Sequence, residues 1–385
     1  MRLPIRNHFT YCVLVFIALF LSACAANQPT TLEAVEGPLK LAWKFETGAA
    51  INHPPLILGD MVIAVPENGP LLSIALKTGA PVWQYDPPEG IWDRAYASDG
   101  RNIYVGVKGG RLAALDVEDG GVLWIQDLGI NTQVPSLAVN GRLYVPTTFV
   151  GPELTPIVNG KARLFILEAS TGQQIWSFVS GNYILQTPAL LNDRLYLAGN
   201  FYDPQPVDEG GHTRIYAMDS QDGSLHWTYE SEDGFPKQLY ATDNTLVFIA
   251  YQDFANGVDV ASGDLRWRKD TGNWVPSFLG AGQAIYFGSA NTIVHSLDAD
   301  SGDTIWDYNI PTGTFNYVLG APVIKENELI FLTQQGDIMA LNAMDGSQVW
   351  EFSTQIHSRT GLNVAGNWLT VGDSAGDLYA YQINR

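Results

Sequence analysis

Few residues in this sequence stand at spacings from which chemistry could be built. His53, His212, His226, His295 and His357 are scattered at intervals that match no metal-ligand pattern. No Ser-His-Asp arrangement and no phosphate-cradling glycine loop stands out. The cysteines are Cys12 and Cys24, and Cys24 has a chemistry of its own. It follows Leu21-Ser22-Ala23, where small side chains leave the bond before the cysteine open to a peptidase.

The residues ahead of Cys24 explain why it matters. Arg2 and Arg6 precede a run of eleven uncharged residues, Tyr11 to Leu21. A membrane-spanning helix needs about 20 apolar residues, so this run suits the core of a signal peptide. Leu21-Ser22-Ala23-Cys24 resembles a bacterial lipobox. That resemblance implies cleavage before Cys24, a diacylglyceryl group on its thiol and acylation of the new amino terminus. Several acyl chains anchor stably where one does not. Ala25, standing where a retained lipoprotein has Asp, implies passage to the periplasmic side of the outer membrane if there are two membranes, or display at the cell surface if there is one. Residues 1–23 are thus expected to be a lipoprotein signal peptide. Residues 24–39, small, polar and acidic, are expected to be a lipidated flexible tether. The processed chain then has no disulfide, no thiol nucleophile and no cysteine-based metal site.

Charge narrows the partners. Residues 24–385 hold 19 basic and 40 acidic side chains, a net charge of −21. Such a field repels nucleic acid and anionic headgroups, and favours partners with basic or apolar surfaces.

The rest of the chain repeats one phrase. Seven ten-residue windows align without gaps: Ile74–Trp83, Leu115–Trp124, Leu167–Trp176, Met218–Trp227, Val258–Trp267, Leu297–Trp306 and Leu341–Trp350. Each opens on an apolar residue and ends on Trp. Each has glycine four positions before that Trp, and all but one have Asp, Glu or Asn second. This is the grammar of a hairpin. An acidic or amide side chain starts the turn by bonding its own backbone, and glycine accepts the positive φ. An aromatic two places after Trp, such as Tyr85, Phe178 or Tyr229, shares its strand face. Prolines such as Pro55, Pro135, Pro188, Pro276 and Pro322 mark strand starts. No sustained helical period occurs, so the fold class is all-β.

Each unit supplies about four short strands, and the Trp residues recur roughly every 40–50 residues, the size of a propeller blade. Trp43 is left over, in a segment matching the second half of a phrase. Gly376-Asp377-Leu378-Tyr379-Ala380-Tyr381 matches the first half. The two halves predict an eighth blade, closed by pairing the N-terminal strand with the C-terminal ones. An eight-bladed β-propeller over 40–385, monomeric and without open sheet edges, is expected.

The phrase, cleanest in Leu167-Glu168-Ala169-Ser170-Thr171-Gly172-Gln173-Gln174-Ile175-Trp176, resembles the pyrroloquinoline-quinone (PQQ)-type repeat. Two groups share that repeat: quinoprotein dehydrogenases, and the lipoprotein subunit of the outer-membrane β-barrel assembly machinery. The second resemblance implies a non-catalytic scaffold that docks on the barrel-assembly protein, or on another envelope protein, and needs no cofactor. The first implies bound PQQ and calcium, a carboxylate base and often a disulfide of neighbouring cysteines. The sequence offers no such cysteines and no acidic pair placed at the axis. In a single-membrane bacterium the chain would be a surface-anchored ligand binder.

The blade tryptophans Trp43, Trp83, Trp124, Trp176, Trp227, Trp267, Trp306 and Trp350 read as packing residues. Function is expected on the face opposite the Asp-Gly hairpins, where insertions run from Pro146 to Ala162 and from Asn200 to His212. The candidate partner or ligand residues on that face are Trp92, Arg94, Tyr183, Phe201, Tyr202, Lys237, Trp274, Tyr317, His357 and Arg359. Aromatics with a few cations suit an anionic ligand or a partner loop.

Overall fold

The computed structural model describes residues 37–147, 162–181, 183–201, 213–231, 233–234, 236, 238–250, 253–311 and 316–384. Their strands form eight antiparallel sheets. Blade 1 lies within residues 56–85, blade 2 within 91–127, blade 3 within 137–181 and blade 4 within 183–231. Blade 5 lies within 239–270, blade 6 within 278–309 and blade 7 within 323–353. Blade 8 joins 363–383 to the first described strand, Leu39–Glu46, which pairs with Asp377–Ile383 in the register Leu39↔Ile383, Trp43↔Ala380, Glu46↔Asp377. The expected closure is therefore present. The pairing continues beyond the strands, since Asn384 N–H donates to the Pro38 carbonyl at 2.9 Å.

The core is not one mass but eight. Each hydrophobic cluster sits between two successive blades. Ile63, Leu71, Ile103 and Val105 fill the interface of blades 1 and 2, and Leu39, Ile330, Leu369 and Ile383 fill that of 7 and 8. No sheet buries its own faces without a neighbour, so stability is spread around the ring, at about 1.5–3 kcal/mol for each large side chain buried.

The repeated phrase builds these interfaces. The indole N–H of each blade's Trp reaches the third residue of the next blade's phrase. Trp43 donates to the Leu76 carbonyl (2.7 Å), Trp83 to Val117 (3.0 Å), Trp124 to Ala169 (3.0 Å), Trp227 to Val260 (3.0 Å), Trp267 to Ala299 (3.1 Å) and Trp306 to Ala343 (3.0 Å). The hairpin glycine must lack a side chain for this reason as well as for its turn. At Gly120, φ is +70°, and a Cβ would lie 2.6 Å from the Trp83 ring. The same collision recurs from Gly79 on Trp43 to Gly346 on Trp306. The acidic second residue caps the turn as expected, with Asp116 Oδ1 accepting from Glu118 N–H at 2.7 Å and Asp298 Oδ1 from Ser301 N–H at 2.8 Å.

Two interfaces break the pattern. At Trp176 the expected acceptor, the Ser220 carbonyl, takes the Arg142 guanidinium instead (2.7 Å), and the buried indole N–H has no partner. Trp350 faces blade 8, where the chain ends meet in place of a hairpin, and it donates to the Glu328 carboxylate at 2.9 Å.

Candidate functional site

Topology puts the hairpins on one face and the blade-to-blade connections on the other. The described ends of the two long insertions, Thr147 and Ala162, and Phe201 and Thr213, fall on the latter. Residues 148–161 and 202–212, which make up most of the insertions, lie outside the described residues, as do Tyr202 and Lys237. The backbone brings Tyr183 and Phe201 together as register partners: Tyr183–Leu185 adds a short strand to the end of Arg194–Phe201.

Among the predicted residues whose side chains are described, one pair meets. Trp274, between blades 5 and 6, packs edge-to-face on Tyr317, between blades 6 and 7, with ring centroids 6.0 Å apart. Trp92 and Arg94 sit in a bulge of the first strand of blade 2, Ile91–Ser98, where pairing is interrupted between Ile91 and Tyr96. The Lys108 ammonium lies 5.5 Å from the Trp92 ring, a cation–π distance. Arg94, His357 and Arg359 are exposed. Among the described side chains, the face therefore carries the Trp274–Tyr317 pair and the Trp92–Lys108 contact, together with three exposed cationic or titratable residues.

Beside that bulge, Asn52 Nδ2 donates to Asp93 Oδ2 (3.1 Å). His53 Nδ1 lies 3.1 Å from both the Pro54 carbonyl and the Tyr96 hydroxyl. Burial lowers the His53 pKa and so favours the neutral imidazole, while the Tyr96 hydroxyl donates to the Pro54 carbonyl at 3.1 Å. Burial likewise pushes the Tyr96 hydroxyl far above its ordinary value. Both groups are fixed hydrogen-bonding elements.

A cleft on the opposite, hairpin face was not anticipated. It encloses about 410 Å³ between blades 4 and 5. Asp193 and Arg194 come from a turn of blade 4, Asp219 and His226 from its hairpin region, and Asp243 from a turn of blade 5. Arg194 donates to the Val260 carbonyl, the same acceptor that Trp227 uses. With the one guanidinium already engaged, three carboxylates dominate the rim, and the cleft suits a cationic side chain from a partner. Its residues are ordinary turn formers in sequence, so only the closeness of two blades reveals them.

Among the described residues no three His, Cys, Asp or Glu side chains gather to hold a metal ion.

Fold and repeat together define an eight-bladed propeller of PQQ-type repeats. Comparison narrows this class. The family model described as outer membrane protein assembly factor BamB matches residues 20–143, 108–233 and 207–384, and the chain belongs to that family. Outer membrane protein assembly factor BamB of Yersinia pestis is 24% identical over 367 residues, covering 88% of each chain. The crystal structure of BamB from Moraxella catarrhalis superposes with a TM-score of 0.65 at 18% identity, covering 89% of this chain and 99% of that one. The dehydrogenase subunit of the quinone alcohol dehydrogenase of Komagataeibacter europaeus is 24% identical over 71% of this chain, but only 35% of its own length is covered.

Proposed function

We propose that this protein is a non-catalytic docking scaffold for outer-membrane protein assembly, held at the periplasmic side of the outer membrane by lipid on Cys24. The observation that carries this reading is the family match, which runs through every blade instead of through a shared fragment. On this reading the partner is an envelope protein, the barrel-assembly protein foremost, and the propeller works as a monomer without a cofactor. A rigid ring of eight interfaces suits the task, because it holds many loops in fixed positions without needing to change shape.

The working surface is the face opposite the Asp-Gly hairpins, to which Trp274, Tyr317, Arg94, His357 and Arg359 are assigned. The acid-rimmed cleft between blades 4 and 5 favours a second docking surface on the hairpin face. Crosslinking in the native membrane, followed by identification of what is captured, tests the proposal. Recovery of the barrel-assembly protein supports it, and recovery of unrelated envelope proteins overturns it. Trimming residues 148–161 and 202–212 should abolish capture. If capture survives both deletions and is lost in Asp193→Lys/Asp243→Lys, the cleft is the docking surface.

A further inference from the structure

Three residues that the sequence left apart meet on blade 6. Ser289 Oγ lies 3.1 Å from His295 Nε2, and His295 Nδ1 lies 2.8 Å from Asp307 Oδ1. No Ser-His-Asp arrangement stands out in the sequence, because only the register of the sheet brings these three together. The connectivity is that of an acyl-transfer triad, but the exposure is inverted. Ser289 has no accessible surface, whereas the Asp307 side chain is 47% exposed. A sealed hydroxyl cannot attack a substrate, so the chain of bonds has another role.

Counting protons shows what it is. The Asp307 carboxylate only accepts, so His295 Nδ1 carries a hydrogen. Asn291 Oδ1 accepts the Ile293 N–H at 3.2 Å, which fixes the orientation of its amide. The same oxygen lies in hydrogen-bond contact with Ser289 Oγ, so the hydroxyl donates to it. With that hydrogen spent, Ser289 Oγ faces His295 Nε2 with lone pairs only. The pattern is complete when His295 carries a second proton and Nε2–H donates to Ser289. When His295 is neutral, Nε2 offers only a lone pair, and the Ser289 hydroxyl can satisfy it only by giving up Asn291 and the more distant Ile293 carbonyl (3.5 Å).

The turn so controlled is under tension. Thr292, a β-branched residue, sits at φ +70°, an unfavourable region for its type. The turn also supports the insertion-bearing face, because Ala290 N–H donates to the Trp274 carbonyl at 2.9 Å.

We propose that His295 is a proton-operated latch whose protonation closes the Ser289–Asn291 turn and fixes Trp274 against Tyr317. The groups acting on the imidazole are Asp307 from its own blade, Lys269 from the outer strand of blade 5, and the Phe287 ring, whose centroid lies 4.9 Å away. Burial holds the His295 pKa below its ordinary value. Asp307 pulls it upward and Lys269 adds to the depression. The latch therefore closes on acidification. This inference stands apart from the choice of docking partner.

The test uses the intact protein labelled with 5-fluorotryptophan, the Trp274 fluorine resonance being assigned with Trp274→Phe. His295 is followed in parallel by imidazole NMR, assigned with His295→Gln. The Trp274 resonance should shift with the midpoint of His295. Ser289→Ala, which deletes one buried oxygen, should abolish that shift while His295 still titrates. Asn291→Ala should do the same, and Asp307→Asn should move the midpoint downward. A Trp274 resonance that stays still through the His295 titration, or moves unchanged in Ser289→Ala, overturns the proposal.

Discussion

Lys44, on the first described strand, and Asp377, on the last, meet at 2.7 Å, with the Lys44 ammonium also 5.7 Å from the Tyr379 ring. The ring closes around this pair, and it separates what closure owes to charge from what it owes to the backbone ladder. Lys44 is about one-third exposed, so Lys44→Met should cost no more than about 1 kcal/mol. Removing Leu39–Glu46 should instead abolish cooperative unfolding, because it bares the edge of Asp377–Ile383 and the apolar wall of blade 8. Chemical denaturation of both variants separates the two. The hydrogen bond to Asp377 raises the Lys44 pKa. The charge contribution is therefore complete below the unfolded value of about 10.4 and fades only as pH climbs through the higher folded one. Near neutrality the effect of Lys44→Met should not vary with pH.

Gly120→Ala tests the glycine–tryptophan contact. Positive φ in a non-glycine residue costs about 1–2 kcal/mol, and overpacking against Trp83 should bring the total loss to roughly 2–4 kcal/mol. Gly282 provides the control. Its φ is +60°, but a Cβ there meets nothing within 4 Å. Gly282→Ala should show the conformational loss alone, and equal melting shifts in the two variants would refute the packing role.

Trp43→Phe should be severe. It removes the donor to the Leu76 carbonyl and leaves a gap at a residue 1% exposed. A loss of about 2–4 kcal/mol is expected from urea titration. Trp176→Phe should be milder, because the Trp176 N–H has no acceptor to lose.

His53 should make the fold sensitive to acid. Its folded pKa is lowered by burial, so its contribution is complete above the unfolded value of about 6.5. That contribution is lost as pH falls through the lower folded value. Urea midpoints of wild type and His53→Gln should run parallel above about pH 7.5 and converge below about pH 6. Parallel curves throughout would show that the imidazole titrates as freely in the fold as in the unfolded chain.

The blades, their number and their closure were legible in the sequence because each depends on local chemistry repeated at a fixed period. An Asp that caps its own turn, a glycine at positive φ and a Trp four residues later leave the same trace in every unit. The strand beginning at Leu39 could be matched to Asp377–Ile383 because each carries half of one phrase. The sites were another matter. His295 and Asp307 lie on neighbouring strands and Ser289 in the turn just before them, and nothing in their spacing announces that register places their polar atoms within 3.1 Å. Asp193 and Asp243 face one cleft only because two blades pack side by side, and Arg142 takes the Ser220 carbonyl from Trp176 across a blade interface. Sequence by itself determined what each unit becomes, since a turn is decided by the residues within it. Tertiary structure alone decided which side chains of different strands and blades share a hydrogen bond, since that depends on register and packing between segments distant along the chain.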